Sequence, residues 1–206
     1  MVTLTHISIS NFQLYLYRNQ LKLTMRKLFT LKAVSLLAAA FLLSTAAIAQ
    51  KKPQASPADS TSGTVAGAMI KISYHSPGIK GRTIGKEIAP YGQVWRTGAN
   101  EATTFSTSKD IKIGGKTLPA GKYTLYTLPN ETEWKIIFNS TTMDGSRPIW
   151  GIKMDGSTTD DPAKDVLTTT VKPMKSKAFA ERFKIDVDKK GFVLVWGDIA
   201  VPVMIK

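Results

Sequence analysis

The residues best suited to chemistry stand in one short segment, residues 94–104, which reads Val-Trp-Arg-Thr-Gly-Ala-Asn-Glu-Ala-Thr-Thr. Arg96 and Glu101 lie on either side of a glycine that permits a tight bend, so the guanidinium and the carboxylate are placed to form a bidentate pair. In one reading, these two side chains and Asn100 are exposed and bind a polar ligand beside Trp95, which serves as a stacking platform. In the other, a buried or half-buried ion pair fixes the turn and Trp95 lies in the core, because structural ion pairs resemble active sites in composition.

Two more candidates precede this segment. His75 ends a predicted strand on its polar face, and Arg82 lies in the loop that follows. Because imidazole titrates near neutral pH, His75 could serve as a general base or a single metal ligand, with Glu101 or Asp144 as its partner. A zinc site needs three or four ligands, so a solvated histidine at a strand end is the simpler interpretation. We predict no metal and no cofactor.

Several catalytic chemistries are excluded by what the sequence lacks. The chain has no cysteine, which removes thiol catalysis, thiolate zinc sites and iron–sulfur clusters. No nucleophile-elbow, zincin, P-loop or dinucleotide-binding motif occurs. The region from residue 140 to 163 is a predicted surface loop whose acidic residues do not follow calcium-loop spacing and are interpreted as solvated. These acids are Asp144, Asp155, Asp160 and Asp161.

The N-terminal quarter of the chain has the pattern of a secretory signal. A basic stretch at 25–32 is followed by an uncharged apolar run at 33–43 and by Ala47-Ile48-Ala49, the small-residue pattern that signal peptidase cleaves. The apolar run is shorter than the roughly 20 residues that a membrane span needs, which argues against the alternative of an anchoring helix. We therefore predict a signal peptide over residues 25–49, and we interpret residues 1–24 as an over-extended N-terminus.

The charge of the mature chain limits its partners. Five of the 28 basic residues and none of the 15 acidic residues precede residue 50, which leaves a net charge of +8. A moderate positive charge suits a protein that works near anionic surfaces or polysaccharides. The lysines form no run with interleaved aromatic residues of the kind that nucleic-acid binders show. The expected partner is a polar small molecule or glycan, with no nucleic acid and no membrane anchor, in a periplasmic or secreted setting.

The elements that must position these residues are predicted to be strands. Residues 50–64 are polar and rich in proline and serine, which indicates a flexible leader. From residue 65 the apolar residues alternate with polar ones, as in half-buried strands, and short Gly- and Pro-containing turns separate the runs. Because short turns join antiparallel strands, residues 65–206 are predicted to form a single all-β domain. Its predicted architecture is an antiparallel two-sheet sandwich, jelly-roll-like or Ig-like.

Several of these segments together resemble a known family. Lys80-Gly81-Arg82, Ala89-Pro90-Tyr91-Gly92, the block at 94–104, Leu118-Pro119-Ala120-Gly121-Lys122-Tyr123 and residues 134–139 stand in this order. The chain resembles the bacterial envelope family catalogued as domain of unknown function 2911, over roughly residues 66–206. The resemblance implies export, in Bacteroidetes-type bacteria, and a β-rich domain. It brings no established activity or catalytic residue.

Three functions follow as hypotheses. The first is a non-enzymatic binding module for a polar ligand such as a glycan, held by Arg82, Arg96, Asn100 and Glu101. The second is a periplasmic hydrolase that uses His75 and Glu101 as acid and base. The third is a structural or assembly partner of envelope proteins, which would pair with the edge of the last strand.

Overall fold

The computed structural model describes residues 13–29, 54–145, 147–153 and 156–206. The chain divides into two compact units, residues 1–53 and 54–206. In the first, residues 13–29 form an α-helix. No helix among the described residues is long and apolar enough to cross a membrane. The apolar run and the cleavage site of the predicted signal peptide lie outside the described residues.

The second unit is built on a six-stranded antiparallel sheet in the order β1-β2-β3-β6-β7-β10. Alternating apolar residues form β2, as the sequence predicts, and the β6–β7 turn at residues 129–133 makes a hairpin. The bounds are β1 Ala58–Val65, β2 Ala68–His75, β3 Thr104–Thr107, β6 Gly121–Leu128, β7 Trp134–Asn139 and β10 Asp165–Val171.

The remaining strands form smaller antiparallel pairs. The hairpin of β4 (Ile111–Ile113) and β5 (Lys116–Leu118) turns at Gly114-Gly115, and β11 (Met174–Asp188) pairs with β12 (Gly191–Met204). A bridge between Ile113 and Ile205 joins the two pairs into one layer. A short hairpin, β8 Met143–Asp144 with β9 Arg147–Pro148, and a 3₁₀ turn, Pro162–Lys164, lie in the long loop.

One hydrophobic core joins the six-stranded sheet to the layer of β4, β5, β11 and β12. Phe105 on β3 is fully buried and contacts Phe138 and Phe192, with ring centroids 4.9 and 5.7 Å apart. Tyr74 and Phe183 meet edge to face at 5.7 Å. The two inner faces therefore pack as the sandwich prediction requires, and the all-β antiparallel fold class is confirmed.

The leader prediction is wrong for residues 58–64. These residues form most of β1, which pairs in register with the whole of β2. Most of β1 is exposed or half-buried, so the strand lacks the apolar alternation by which sequence analysis recognises a strand. Its stability comes from the backbone ladder and from contacts such as the Val187 N–H donating to Thr61 Oγ1 at 3.2 Å.

The last strand, β12, runs without interruption from Gly191 to Met204, although it contains a glycine and a proline. Gly197 adopts a φ of +59° within it. Glycine reaches this conformation without strain and allows an irregularity in the pairing with β11. Pro202 lies beyond the paired register, which ends at Ala200, as expected of a residue that cannot donate to a ladder.

The described residues of the predicted surface loop, which spans 140–163, cover part of the outer face of the six-stranded sheet. Ile149 is buried, and its carbonyl accepts a hydrogen bond from Ala102 N at 2.8 Å. Tyr126 and Ile137 point away from the main core, and both are buried. The loop therefore creates a small second layer beside the segment that carries the candidate residues.

Candidate functional site

The segment at 94–104 wraps around the ends of β2 and β6. Trp95 and Thr127 exchange backbone hydrogen bonds of 2.7 and 2.9 Å. The chain then turns through Thr97 at a φ of +58°, and the Thr103 hydroxyl donates to the Thr97 carbonyl at 2.7 Å. Thr97 and Thr103 are fully buried. These bonds fix the backbone of the segment and therefore the positions of its side chains.

This turn brings Glu101 to His75. The Ala99 N–H donates to the His75 carbonyl at 3.2 Å, and Glu101 Oε2 lies 3.3 Å from His75 Nδ1. Gly98 allows this close approach, because a Cβ there would lie 3.0 Å from the His75 carbonyl oxygen. The carboxylate can accept a hydrogen bond from Nδ1–H, which leaves Nε2 as the basic nitrogen of the ring.

An open pocket of 380 Å³ adjoins the pair. His75 and Glu101 line it, with Lys122, the hydroxyl side chains of Ser73 and Thr104, and Asp59, Tyr74 and Pro148 among its other walls. The side chain of His75 is 20 % exposed and that of Glu101 is 38 % exposed, so both reach solvent while being held. The pocket thus combines hydrogen-bond donors and acceptors with the His75–Glu101 pair, which is able to move a proton.

The wall next to Asp59 is fixed by a hydrogen-bonded tyrosine. The Tyr74 hydroxyl donates to Asp59 Oδ2 at 2.9 Å and accepts from the Ile185 N–H at 3.1 Å. Burial raises the pKa of Tyr74, and the nearby Asp59 raises it further. The phenol therefore stays protonated and ties β1 and β2 to β11.

Trp95 belongs to the core, as the second reading of the segment proposes. Its ring stacks on Trp196 with centroids 5.4 Å apart and planes 12° apart, and it meets Phe183 edge to face at 5.1 Å. Its indole N–H donates to the Gly98 carbonyl at 3.1 Å. The residue stabilises the turn and is engaged by protein contacts rather than presented as a platform.

The predicted pair between Arg96 and Glu101 does not form. Glu101 contacts His75, and no ion pair involves Arg96 among the described residues. Arg96 instead lies under the long loop, where the Gly151 backbone leaves room for its Cβ and Cδ. Its Nε is buried without a partner among the described residues, and burial lowers the pKa of the guanidinium.

Arg82 and Asn100 act on neighbouring backbone. The Arg82 guanidinium donates to the carbonyls of Gly78 and Ile79 at 2.8 and 3.1 Å, which closes its own turn. Asn100 adopts a φ of +56°, and its amide donates to the Ser56 carbonyl at 3.3 Å. The six candidate residues thus do not converge on one pocket: His75 and Glu101 meet there, and the other four have separate contacts.

The acids of the long loop are not all solvated. The Asn139 amide donates to Asp160 Oδ1 at 3.2 Å, to Asp165 Oδ1 at 2.8 Å and to the Asp161 carbonyl at 2.9 Å. Burial and then the charge of Asp165 raise the pKa of Asp160 to about 6. Asp155 lies outside the described residues, and no group of three or more metal-ligating side chains occurs among the residues that are described.

Sequence reasoning missed the pocket residues Ser73, Thr104 and Lys122. Alternation along β2 places Ser73 on the same face as His75, and Thr104 pairs with Ser73 across the sheet. The signal was therefore present in the pattern of each strand. The strand order that makes these residues neighbours could not be read from the sequence.

Comparison with known proteins identifies a family. The family model described as Protein of unknown function (DUF2911) matches residues 56–205. No curated protein and no solved structure matches the chain.

Proposed function

Because this chain belongs to the DUF2911 family, whose description assigns no activity, we propose its function from the geometry of the site. It is an exported binding protein. Its pocket at His75 and Glu101 holds a polar, hydroxyl-rich ligand such as a glycan fragment. The order of basic, apolar and small residues over 25–49 supports export. The ligand would be met in the cell envelope or outside the cell.

The observation that carries the proposal is the contact between His75 Nδ1 and Glu101 Oε2 at the wall of an open pocket. Lys122 adds a cationic donor, and Ser73 and Thr104 add hydroxyl groups that both donate and accept. Convergent polar groups of mixed donor and acceptor character fit a ligand whose own groups are hydroxyls. Ligand sites are typically concave and carry a few such groups.

Hydrolysis is the second candidate, and the same contact favours it. A carboxylate on Nδ1 orients an imidazole and keeps Nε2 available as a base, as in hydrolytic triads. In a hydrolase of this kind, His75 would take a proton from the water that attacks the bound ligand and return it to the group that leaves as the scissile bond breaks. Glu101 would be a positioning residue that stabilises the imidazolium.

The assembly hypothesis has less support. It requires a free edge on the last strand, but Lys206 and Lys112 exchange backbone hydrogen bonds of 2.7 and 2.9 Å. Ile205 N also donates to the Lys190 carbonyl at 2.8 Å. The two residues that follow β12 are therefore already paired.

Calorimetric titration of the purified protein with oligosaccharide fragments of envelope polymers tests the proposal. We expect at least one fragment to bind, and His75→Ala to weaken it at least about tenfold through the lost hydrogen bond. Lys71→Ala, an exposed change on the same face of β2, is the matched control and should bind normally. Silence across the panel, or equal binding by both variants, would contradict the proposal. Release of shortened fragments by the wild type, and not by His75→Ala, would favour the hydrolase instead.

A further inference from the structure

The β11–β12 pair carries an apolar groove of 500 Å³, a volume typical of small-molecule sites. Residues 174–180 of β11 form part of its lining. Four apolar residues of β12 line it as well: Val193, Val195, Ala200 and Pro202. The groove shares no lining residue with the pocket at His75, so it is a separate feature of the domain.

The groove exists because β12 is apolar on both faces. Leu194, Trp196, Val201 and Val203 belong to the core between the two layers. Their neighbours along the strand point to the opposite face, and Val195 and Ala200 are not part of that core although they are only 7 and 8 % exposed. The solvated face of an antiparallel sheet normally carries polar residues. An apolar outer face rimmed by polar residues marks a surface that binds something.

A bend in the pair makes this face concave. Gly197 adopts a φ of +59°, and the register of β11 shifts between Lys175 and Ala180. The Ile205 N–H, directly after β12, donates to the Lys190 carbonyl at 2.8 Å, so the chain returns to the turn from which β12 starts. Residues on both sides of Gly197 line the groove. Its shape therefore suits a single chain-like ligand better than a flat surface.

The polar residues of the groove are mainly cationic. Three lysines and one acid line it: Lys175, Lys177, Lys184 and Asp188. The Asp188 carboxylate accepts two backbone N–H groups of the β11–β12 turn, at 2.7 and 3.1 Å. Lys184 pairs with Asp186 at 3.1 Å, whereas Lys175 and Lys177 have no ion pair among the described residues. A cleft lined by an excess of positive charge attracts anions.

From these observations we propose that the groove binds an amphiphile with one alkyl chain and an anionic head, such as a fatty-acid carboxylate. The chain lies on the apolar residues of β12, and the exposed Phe179 of the lining extends this surface. Lys175 and Lys177 donate charge-assisted hydrogen bonds to the head. A second copy of the chain is a poorer occupant, because two such grooves face to face bring like charges together. This inference does not depend on the proposed function of the His75 pocket.

Laurate and dodecyltrimethylammonium test the charge requirement, because they share the alkyl chain and differ in the sign of the head. In calorimetric titrations below the micelle concentration of each, we expect laurate to bind the purified protein with a dissociation constant of about 0.1 mM or tighter. Dodecyltrimethylammonium should bind at least about tenfold more weakly. Hexanoate keeps the carboxylate and shortens the chain, and it should also bind at least about tenfold more weakly. Absence of laurate binding, or equal binding of the three probes, would overturn the proposal.

Charge variants locate the head of the ligand. Lys175→Gln combined with Lys177→Gln should weaken laurate at least about fivefold. Lys71→Gln combined with Lys135→Gln is the matched control, because it removes the same charge at exposed positions of the six-stranded sheet, outside the groove. This control should bind laurate normally. Equal weakening by the two double variants would show a response to net charge alone and would overturn the proposal.

A third variant locates the alkyl chain. Val193→Thr puts a hydroxyl group in the groove with little change of shape, and it should weaken laurate at least about threefold. Val166→Thr makes the same change at an exposed position of β10 outside the groove and should have no effect. His75→Ala should leave laurate binding unchanged, which keeps this test apart from that of the proposed function. Normal binding by Val193→Thr, or loss of binding in His75→Ala, would contradict the assignment to this groove.

Two further measurements address other occupants of the groove. Vesicles of phosphatidylglycerol that bind the protein when monomeric laurate does not would assign the groove to a membrane surface. A dimer in sedimentation that Phe179→Ala dissociates would assign it to a second copy of the chain. Either result would overturn the proposal.

Discussion

At the scale of single residues, the same chemical group has different uses depending on what the backbone puts next to it. Arg82 caps its own turn, whereas Arg96 is half-buried under a loop with an unpartnered Nε. Glu101 contacts His75 although Arg96 is closer in sequence. All of the six candidate residues except Arg96 make a defined polar side-chain contact. The partner of Glu101 could not be read from the spacing, because it lies on β2, a strand distant in sequence.

Asp160 allows a prediction about pH. Its pKa rises from 3.8 to about 6 on folding, so between these values the native state keeps a proton that the unfolded state has released. The free energy of unfolding therefore falls as pH rises through this window. Asp160→Asn removes the titration and should raise the melting temperature above about pH 7 more than at about pH 4.

Thermal denaturation of the purified protein at both pH values measures this effect. Asp186→Asn serves as the control, because an exposed ion pair contributes little to stability. A gain for Asp160→Asn that is equal at both pH values, or a loss that grows with pH, would show that the carboxyl is not held protonated by its surroundings.

At the scale of elements, the 94–104 segment is a clamp that holds one strand end against another. Its backbone bonds reach His75 on β2 and Thr127 on β6, and its buried threonines close the turn. The sequence indicated a turn here and a strand before it. It could not indicate that the turn lies on the end of β2, because that placement follows from the order of strands in the sheet.

Gly98→Ala tests the clamp. A Cβ at this position would lie 3.0 Å from the His75 carbonyl oxygen and 3.1 Å from Thr103 Oγ1, so the segment must shift. We expect a loss of about 1–3 kcal/mol in the free energy of unfolding. Urea denaturation measures the loss, and weaker ligand binding at the His75 pocket should accompany it.

Gly78→Ala is the matched control for this change. A Cβ at Gly78 would meet only the ends and stems of the Glu181 and Lys80 side chains, at 3.4 Å or more. Its effect should stay within about 0.5 kcal/mol. If the two variants were equally stable, the result would contradict the close contact between the 94–104 segment and β2.

At the scale of the whole domain, stability depends on apolar packing between two β layers, because the chain has no cysteine to form a disulfide. The alternation of apolar residues predicted antiparallel strands from residue 65 onward, and β2 and β7 confirm it. It did not predict β1, whose polar residues are held by pairing with β2, nor the continuity of β12 through Gly197. The role of the long loop as a cover was also missed, since its buried residues follow no period.

Phe105 and Phe179 provide a comparison of the same substitution in two environments. Phe105 is fully buried between the layers, whereas Phe179 is 68 % exposed on β11. Phe105→Ala should cost about 3–5 kcal/mol, a large share of the stability of a typical domain. Phe179→Ala should change it by less than about 0.5 kcal/mol. Similar losses in chemical denaturation would contradict the assignment of the core.

The tautomer of His75 tests the central claim most directly. Nitrogen-15 NMR of the imidazole at about pH 8 distinguishes a protonated Nδ1 from a protonated Nε2. We predict that the proton is on Nδ1, held by Glu101, and that Glu101→Ala abolishes this preference. A proton on Nε2 in the wild type, unchanged in Glu101→Ala, would show that the pair is not formed and that the pocket lacks the base on which the proposed function depends.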